Sequence, residues 1–259
     1  MVHALVFDSG VGGLSVVQEL RALIPDIYIT YVADDEFRPY GTKTEAQLQA
    51  RLPELLQTLV FAVQPDILLI ACNTASTTAL KQIRNTVDIP VIGVVPAIKP
   101  AAQMSKAKAI AVLGTPGTVR RKYVGKLIRD FASDCQVVLH GSTGLVELAE
   151  QKLSGQILNP FALKAEVEPM FRDVNIDTIV LACTHFPLLL DELKQAAPYA
   201  VNWIDSGYAI AKRTQTIAGK MEIKSRPTYP QTALLVGGVY NRERAKMFAT
   251  FGFEKTVCL

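Results

Sequence analysis

Two stretches of the chain, Asp66-Ile-Leu-Leu-Ile-Ala-Cys72-Asn-Thr74 and Asp177-Thr-Ile-Val-Leu-Ala-Cys183-Thr-His185, follow one pattern. Each contains an acidic residue, a short apolar run, and then Ala-Cys with two polar residues behind it. Such apolar runs are typical of strands buried on both faces of a parallel sheet. Each cysteine is therefore expected at the carboxyl end of a strand, the edge where open α/β sheets bind ligands. The two copies are about one α/β domain apart, which predicts two similar domains with one thiol each.

The remaining strands and helices alternate along the chain and support this division. A second series of strands begins after Pro96 and Pro100, and Gly114-Thr115 stands where Asp8-Ser9 stands in the first series. The C-terminal segment is too short to be a domain, so it is expected to return to the first one. The predicted fold is α/β, with two pseudo-symmetric doubly wound domains of mostly parallel sheets and the active site in the cleft between them. The predicted domains are residues 1–96 with 207–259, carrying Cys72, and residues 97–206, carrying Cys183.

One helix is defined in detail by local signals. Thr44 and Gln47 have the spacing of a capping box, which predicts that a helix begins here. Leucine and valine then recur at helical spacing and predict one core-facing stripe. The residues of that stripe are Leu48, Leu52, Leu55, Leu59 and Val63.

Composition excludes several classes of protein. The net charge of +3 in 259 residues, with scattered basic residues, argues against nucleic acid and membrane surfaces as partners. No apolar run reaches transmembrane length and the first residues resemble no export signal, so we expect a cytoplasmic protein. The four cysteines have neither Cys-x-x-Cys nor zinc-ligand spacing, so neither a disulfide nor a metal site is expected.

The glycine-rich turn Asp8-Ser9-Gly10-Val11-Gly12-Gly13 allows a second interpretation. It lies between a predicted strand and a predicted helix, where helix N-terminal N–H groups can bind phosphate. Asp34, after the second strand, could then take the place of a ribose-binding acid. Ser15 stands where the dinucleotide fingerprint has its third glycine, so the match is poor. A nucleotide-binding enzyme remains a minor alternative.

The four cysteines separate into two kinds. Cys135 and Cys258 lie in apolar strands without evident polar partners, and we expect them to be small core residues. Cys72 directly precedes a predicted helix, whose dipole favours the thiolate. Cys183 is two residues from His185, a candidate to activate the thiol.

Two separate thiols suit a reaction that inverts a stereocentre. One base removes the proton from one face of a carbon, and an acid on the other face supplies a new one. The roles exchange in the reverse direction, and a thiol with an ordinary pKa of about 8.5 can serve in both. Covalent acyl transfer, the other common use of a Cys-His pair, needs only one thiol.

Five motifs together resemble those of the glutamate racemases, of the aspartate/glutamate racemase superfamily. The motifs are Asp8-Ser9-Gly10-Val11-Gly12-Gly13, Pro39-Tyr40-Gly41, Ala71-Cys72-Asn73-Thr74-Ala75-Ser76, Cys183-Thr184-His185-Phe186-Pro187-Leu188 and Asp205-Ser206-Gly207. The resemblance extends over nearly the whole chain in the same order and is weakest from about residue 219. The segment 141–147 lacks the Cys-Pro that many members have there.

The resemblance implies an isomerase that interconverts L- and D-glutamate without cofactor or metal and supplies D-glutamate for peptidoglycan, and hence for cell wall biogenesis and cell shape. It implies that Cys72 acts on the D-isomer and Cys183 on the L-isomer, assisted by Asp8 and His185. A glutamate also lines the site, placed at Glu150 with Glu147 as the alternative. The implied substrate contacts are Asp8, Ser9, Tyr40, Gly41, Asn73, Thr74, Thr184 and His185. Members of the family commonly form homodimers. A racemase for another amino acid such as aspartate, and a non-catalytic bilobal protein that binds a small ligand, remain the alternatives.

Overall fold

The computed structural model describes residues 1–172, 175–222 and 230–259. Its strands, in chain order, are β1 His3–Asp8, β2 Tyr28–Asp34, β3 Ile67–Ile70, β4 Val91–Gly93, β5 Ala109–Gly114, β6 Gln136–Gly141, β7 Thr178–Ala182, β8 Asn202–Ile204, β9 Thr232–Val236 and β10 Lys255–Cys258. The α-helices are α1 Leu14–Leu23, α2 Glu45–Val63, α3 Asn73–Arg84, α4 Ile98–Met104, α5 Pro116–Val119, α6 Lys122–Phe131, α7 Gly144–Leu153, α8 Pro160–Val167, α9 Leu190–Ala196, α10 Gly207–Ala218 and α11 Arg242–Thr250. Short 3-10 helices occur at Tyr40–Thr42, Glu168–Phe171 and Phe186–Leu189.

The chain divides into two compact units, each built on one sheet. The first unit comprises Met1–Val94 with Gly207–Leu259, and the second comprises Val95–Ser206. The first unit holds a six-stranded sheet in the order β10-β9-β2-β1-β3-β4, and the second holds a four-stranded sheet in the order β6-β5-β7-β8. Every strand pair in both sheets is parallel.

The two sheets repeat one topology. In the first, β1 lies between β2 and β3, and in the second, β5 lies between β6 and β7. The chain thus winds to one side of the central strand and then to the other, which makes both sheets doubly wound. The predicted α/β class with two similar, mostly parallel sheets is confirmed.

The acidic residue at the start of each repeated stretch ties its strand to the central strand beside it. Asp66 accepts a hydrogen bond of 2.8 Å from the N–H of His3, where β1 begins. Asp177 accepts bonds of 2.7 Å from the N–H groups of Lys106 and Ala107, just before β5. Ser105 donates a further hydroxyl bond of 2.6 Å to Asp177. In both copies of the repeat, the acidic residue therefore accepts hydrogen bonds from main-chain N–H groups at or just before the start of the central strand.

The helix that begins after Thr44 follows the local prediction at its start and departs from it inside. The capping box between Thr44 and Gln47 is present as predicted. The buried face consists of Leu48, Leu52, Leu56 and Leu59. Leu55 and Val63, predicted as core residues, are only half-buried. The buried face of the helix includes Leu56 instead of Leu55. Val63 is the last residue of the helix.

We predict that Asp177→Asn lowers stability in a way that depends on pH. Burial by itself would raise the pKa of Asp177, but hydrogen bonds from Ala107, Ser105, Thr178 and Lys106 outweigh it and the pKa is lowered. A carboxylate with a lowered folded-state pKa stabilises the protein above its unfolded pKa, about 3.9, and this contribution is lost as the pH falls through the folded value. At pH 7 the variant should lose about 1–3 kcal/mol in the free energy of unfolding.

Urea unfolding at several pH values between about 7 and 3 measures the effect. The difference between wild type and variant should shrink below about pH 4. Asp26→Asn, at an exposed position, is the control and should change the free energy of unfolding by less than about 0.5 kcal/mol. A loss that stays constant over the whole pH range would contradict the assigned role of the charge.

Candidate active site

The first thiol lies at the switch point of the six-stranded sheet. Cys72 follows β3, is the N-cap residue of α3, and is 4% exposed. Its Sγ lies 3.7 Å from the hydroxyl Oγ of Ser9, which follows the neighbouring strand β1. The thiol donates to this hydroxyl and stands at the positive end of a twelve-residue helix, whose dipole favours the thiolate.

The glycine-rich turn after β1 is organised by Asp8. This residue is fully buried, and its Oδ2 accepts hydrogen bonds from the N–H groups of Gly10, at 3.3 Å, and Gly13, at 3.0 Å. The hydroxyl of Tyr31 donates a hydrogen bond of 2.8 Å to the carbonyl of Gly10. Two of the N–H groups that a phosphate would need already bind a carboxylate. These hydrogen bonds argue against a phosphate-binding loop at this turn.

The contacts of Asp34 argue against the ribose-binding role as well. Its fully buried carboxylate pairs with both Nε and Nη2 of Arg51, at 2.7 Å each. The hydroxyl of Tyr40 donates to the same carboxylate at 2.5 Å. Because Tyr40 is 1% exposed and its hydroxyl is engaged, a substrate contact at this residue would come from the main chain.

The polar residues after Cys72 are buried at the start of α3. Asn73 and Thr74 are each 3% exposed. Within the part of the chain that the structure describes, the Oδ1 atom of Asn73 has no hydrogen-bond partner. Burying a polar atom without a partner costs free energy, and such atoms are typical of ligand-binding sites. Gly41, in the 3-10 turn before α2, is half-buried.

The second thiol belongs to a row of three ionisable side chains. Cys183 directly follows β7 and is 6% exposed. Its Sγ lies 3.9 Å from Nδ1 of His185, and Nε2 of His185 lies 3.7 Å from Oε1 of Glu150. A proton on Nε2, facing Glu150, leaves the Nδ1 lone pair to accept the proton of the thiol. Thr184, between the cysteine and the histidine, is also buried.

Glu150 is brought to His185 by contacts at both ends of α7. Near its start, the hydroxyl of Ser142 donates to Glu166 at 2.6 Å and accepts from the N–H of Leu145 at 2.9 Å. Near its end, Lys152 donates to the carbonyl of Leu188 at 2.9 Å, in the 3-10 turn after His185. Glu147, the alternative to Glu150, is exposed.

Sequence patterns did not reveal these supporting residues. Ser142 precedes the N–H that it caps by three residues, a spacing that could have indicated a helix start. Nothing in the local sequence indicates Glu166, Lys152 or Arg51, because each meets its partner only through the fold.

The remaining cysteines lack such surroundings. Cys135 is half-buried and lies 3.6 Å from the carboxylate of Asp134, so the expectation of a core thiol without polar partners is wrong there. Burial and the charge of Asp134 raise the pKa of Cys135. Cys258, at the end of the edge strand β10, is half-buried, and none of the four cysteines forms a disulfide.

Two wider features concern residues 1–172, 175–222 and 230–259 only. Among them, no group of three or more histidine, cysteine, aspartate or glutamate side chains is arranged to hold a metal ion. In the same ranges, none of the helices combines the length and apolar character that crossing a membrane requires.

Comparison with known proteins identifies the family. Residues 14–214 match the family described as Asp/Glu/Hydantoin racemase. The chain belongs to this racemase family. It is 43% identical to the glutamate racemase of Pasteurella multocida over 98% of this chain and 95% of that protein. It is 48% identical to the glutamate racemase of Shewanella sp. strain ANA-3 over 82% of this chain and 78% of that protein.

A solved structure of the same racemase family matches the fold closely. Escherichia coli glutamate racemase, crystallised with L-glutamate and the activator UDP-MurNAc-ala, gives a TM-score of 0.93 at 39% identity. The match covers 100% of this chain and 98% of that chain. The resemblance that the sequence motifs indicated is confirmed.

We predict that Glu150→Gln makes Cys183 less reactive. Without the carboxylate, the imidazolium of His185 is less stable, so His185 is a weaker acceptor for the proton of the thiol. Alkylation of Cys183 by iodoacetamide near pH 7, followed by mass spectrometry of the cysteine peptide, should slow by about 3-fold to 10-fold.

Glu147→Gln is the matched control, one turn earlier on the same helix, and should leave the rate unchanged. Alkylation of Cys72 in each variant provides the internal reference. Equal slowing in the two glutamine variants would show that Glu150 has no particular relation to His185.

Proposed function

We propose that this protein is a glutamate racemase, which interconverts L- and D-glutamate without a cofactor. The observation that carries the proposal is the pair of buried thiols at equivalent strand ends of the two sheets, each beside a group that can assist proton transfer. The relatives at 43–48% identity are glutamate racemases, and the similar Escherichia coli structure contains L-glutamate.

The proposed reaction is a proton exchange at the α-carbon. The thiolate of Cys183 removes the α-proton of L-glutamate, which leaves the electron pair on the carbon, and the thiol of Cys72 donates a proton to the opposite face. D-Glutamate reacts in the reverse sense, with Cys72 as the base. Before the reaction His185 accepts the proton of the Cys183 thiol, which leaves the thiolate as the base, and the carboxylate of Glu150 stabilises the resulting imidazolium. Asp8 assists Cys72. Each unit thus supplies one base.

The substrate groups suit the proposed contact residues. Glutamate has two carboxylates, which hydroxyl and amide donors and helix N-terminal N–H groups can hold. Ser9, Asn73 and Thr74 provide such groups beside Cys72, and Thr184 provides one beside Cys183. The main chain of Tyr40 and Gly41 adds N–H groups near α3. The negative charge of Asp8 and the imidazole of His185 suit the ammonium and the reacting proton.

The proposal extends to the setting of the enzyme. It includes two domains, residues 1–96 with 207–259 and residues 97–206, whose first boundary lies two residues after that of the two compact units. The protein works in the cytoplasm, where a reducing environment keeps both thiols active, and its D-glutamate enters peptidoglycan. We also propose that it forms a homodimer. Size-exclusion chromatography with light scattering tests that last point.

The decisive experiment follows exchange of the α-proton in deuterated water without added cofactor. Proton NMR should show loss of the α-proton signal from either enantiomer of glutamate, while circular dichroism reports racemisation. Because the enantiomers have equal energy, the kcat/KM values of the two directions must be equal. The assay is run with and without UDP-MurNAc-ala, so that an inactive unactivated enzyme is recognised.

The same assay separates the alternatives. Aspartate should react at least about 100-fold more slowly in kcat/KM, because a shorter side chain leaves built polar contacts unpaired. A preference for aspartate would overturn the choice of substrate. Binding of glutamate without any exchange would instead identify a non-catalytic binding protein.

We predict that Cys72→Ser and Cys183→Ser each lower kcat for glutamate by at least about 10³-fold, because a serine hydroxyl is a far weaker acid than a thiol. The melting temperature should change little, since oxygen replaces sulfur in the same position. Cys135→Ser and Cys258→Ser are matched controls and should retain at least about half of the activity, since both positions are only half-buried and lie outside the proposed site. Substantial racemisation by either of the first two variants would exclude the two-thiol mechanism.

A further inference from the structure

The carboxylate of Asp34 joins three parts of the first unit at one point. Asp34 is the last residue of β2, Tyr40 begins the 3-10 turn Tyr40–Thr42, and Arg51 lies on α2. Arg51 binds both carboxylate oxygens at 2.7 Å, and the Tyr40 hydroxyl binds Oδ2 at 2.5 Å. Strand end, turn and helix are therefore held together by short, charge-assisted hydrogen bonds.

The ring of Tyr40 is enclosed as firmly as its hydroxyl. It packs against Phe7, with ring centroids 6.5 Å apart, and against Phe37, at 6.2 Å. Arg51 lies over the ring of Phe37, at 5.1 Å from its centroid, and also binds Glu36 at 2.6 Å. Both the ring and the hydroxyl of Tyr40 are therefore fixed.

The fixed side chain stands beside the thiol of the first unit. Tyr40 and Cys72 belong to one apolar cluster, and the turn that Tyr40 begins packs against α3. The side chain points inward, while Gly41, the next residue, is half-buried. The main chain of the turn thus lies at the sheet edge where Cys72 lies.

We propose that Asp34 and Arg51 are positioning residues, which hold Tyr40 and so preform the Pro39–Gly41 turn for binding of the amino-acid substrate. This inference rests on the proposed function, because it concerns how that substrate is bound. A preformed turn loses no conformational freedom when the substrate binds, which lowers the KM.

The two donors of the network keep their protons over the working pH range. Burial, followed by the charge and hydrogen bond of Asp34, raises the pKa of Tyr40, so its hydroxyl stays protonated and remains a donor. The hydrogen bond to Asp34 likewise raises the pKa of Arg51, which stays charged. Both donors therefore remain available to Asp34 over this pH range.

The chain contains a matched control at the next residue. Asp35 also makes a two-pronged ion pair with an arginine, Arg244 of α11, in which Nη2 lies 2.7 Å from Oδ1. The side chains of Asp35 and Arg244 are 5% and 18% exposed, and that of Arg51 is 23% exposed. The two pairs are alike in charge and burial, but only Asp34 binds Tyr40.

The experiment compares Tyr40→Phe, Arg51→Lys and the control Arg244→Lys. Steady-state kinetics with L- and D-glutamate give KM and kcat, and thermal unfolding gives the melting temperature. Tyr40→Phe and Arg51→Lys should raise KM by about 10-fold while kcat falls by less than about 3-fold. Arg244→Lys should lower the melting temperature about as much as Arg51→Lys does and leave KM unchanged.

Tyr40→Phe is expected to fold normally, because it keeps the buried ring and the ion pair and removes only the hydroxyl. An unchanged KM in a folded Tyr40→Phe variant would overturn the inference, as would equal KM changes in the two lysine variants. If the wild-type protein does not racemise glutamate, the proposed function fails and the inference fails with it. An active wild type with unaltered variants would overturn the inference alone.

Discussion

The structure depends on parallel pairing of strands that are buried on both faces. The interiors of β1, β3, β5 and β7 are apolar, because helices cover both sides of each sheet. Polar groups can then be placed only where a strand ends and the chain turns toward a helix. Parallel pairing brings neighbouring ends to one edge, so Ser9 meets Cys72 across β1 and β3.

The two units use one topology to surround their thiols differently. Cys72 has the hydroxyl of Ser9 and the N-terminus of α3, whereas Cys183 has His185, Glu150 and only a short 3-10 turn behind it. The N-terminus of a helix lies at one thiol, and an ionisable pair lies beside the other. The proposed reaction requires both thiols to change protonation state, and in each unit different neighbours surround the thiol.

Buried charge is the second feature that the fold must accommodate. Asp8 and Asp34 are fully buried at the ends of adjacent strands, and each has specific donors: glycine N–H groups for Asp8, and Arg51 with Tyr40 for Asp34. Buried ion pairs add little net stability, because desolvation offsets the attraction, but they restrict the alternatives open to a loop. The turns beside Cys72 are accordingly held in one arrangement by directional bonds.

The sequence by itself determined the features that act over short distances. The repeated strand pattern indicated the two parallel sheets and the place of Cys72 and Cys183 at strand ends, and the capping box of Thr44 was correct because its partners are three residues apart. Only the tertiary structure decided which side chains meet. Arg51 binds the carboxylate of Asp34. Glu150 rather than Glu147 lies beside His185, and Leu56 rather than Leu55 is buried in the core. These outcomes depend on how helices are rotated and placed against their sheets, and local periodicity does not specify that rotation to within one residue.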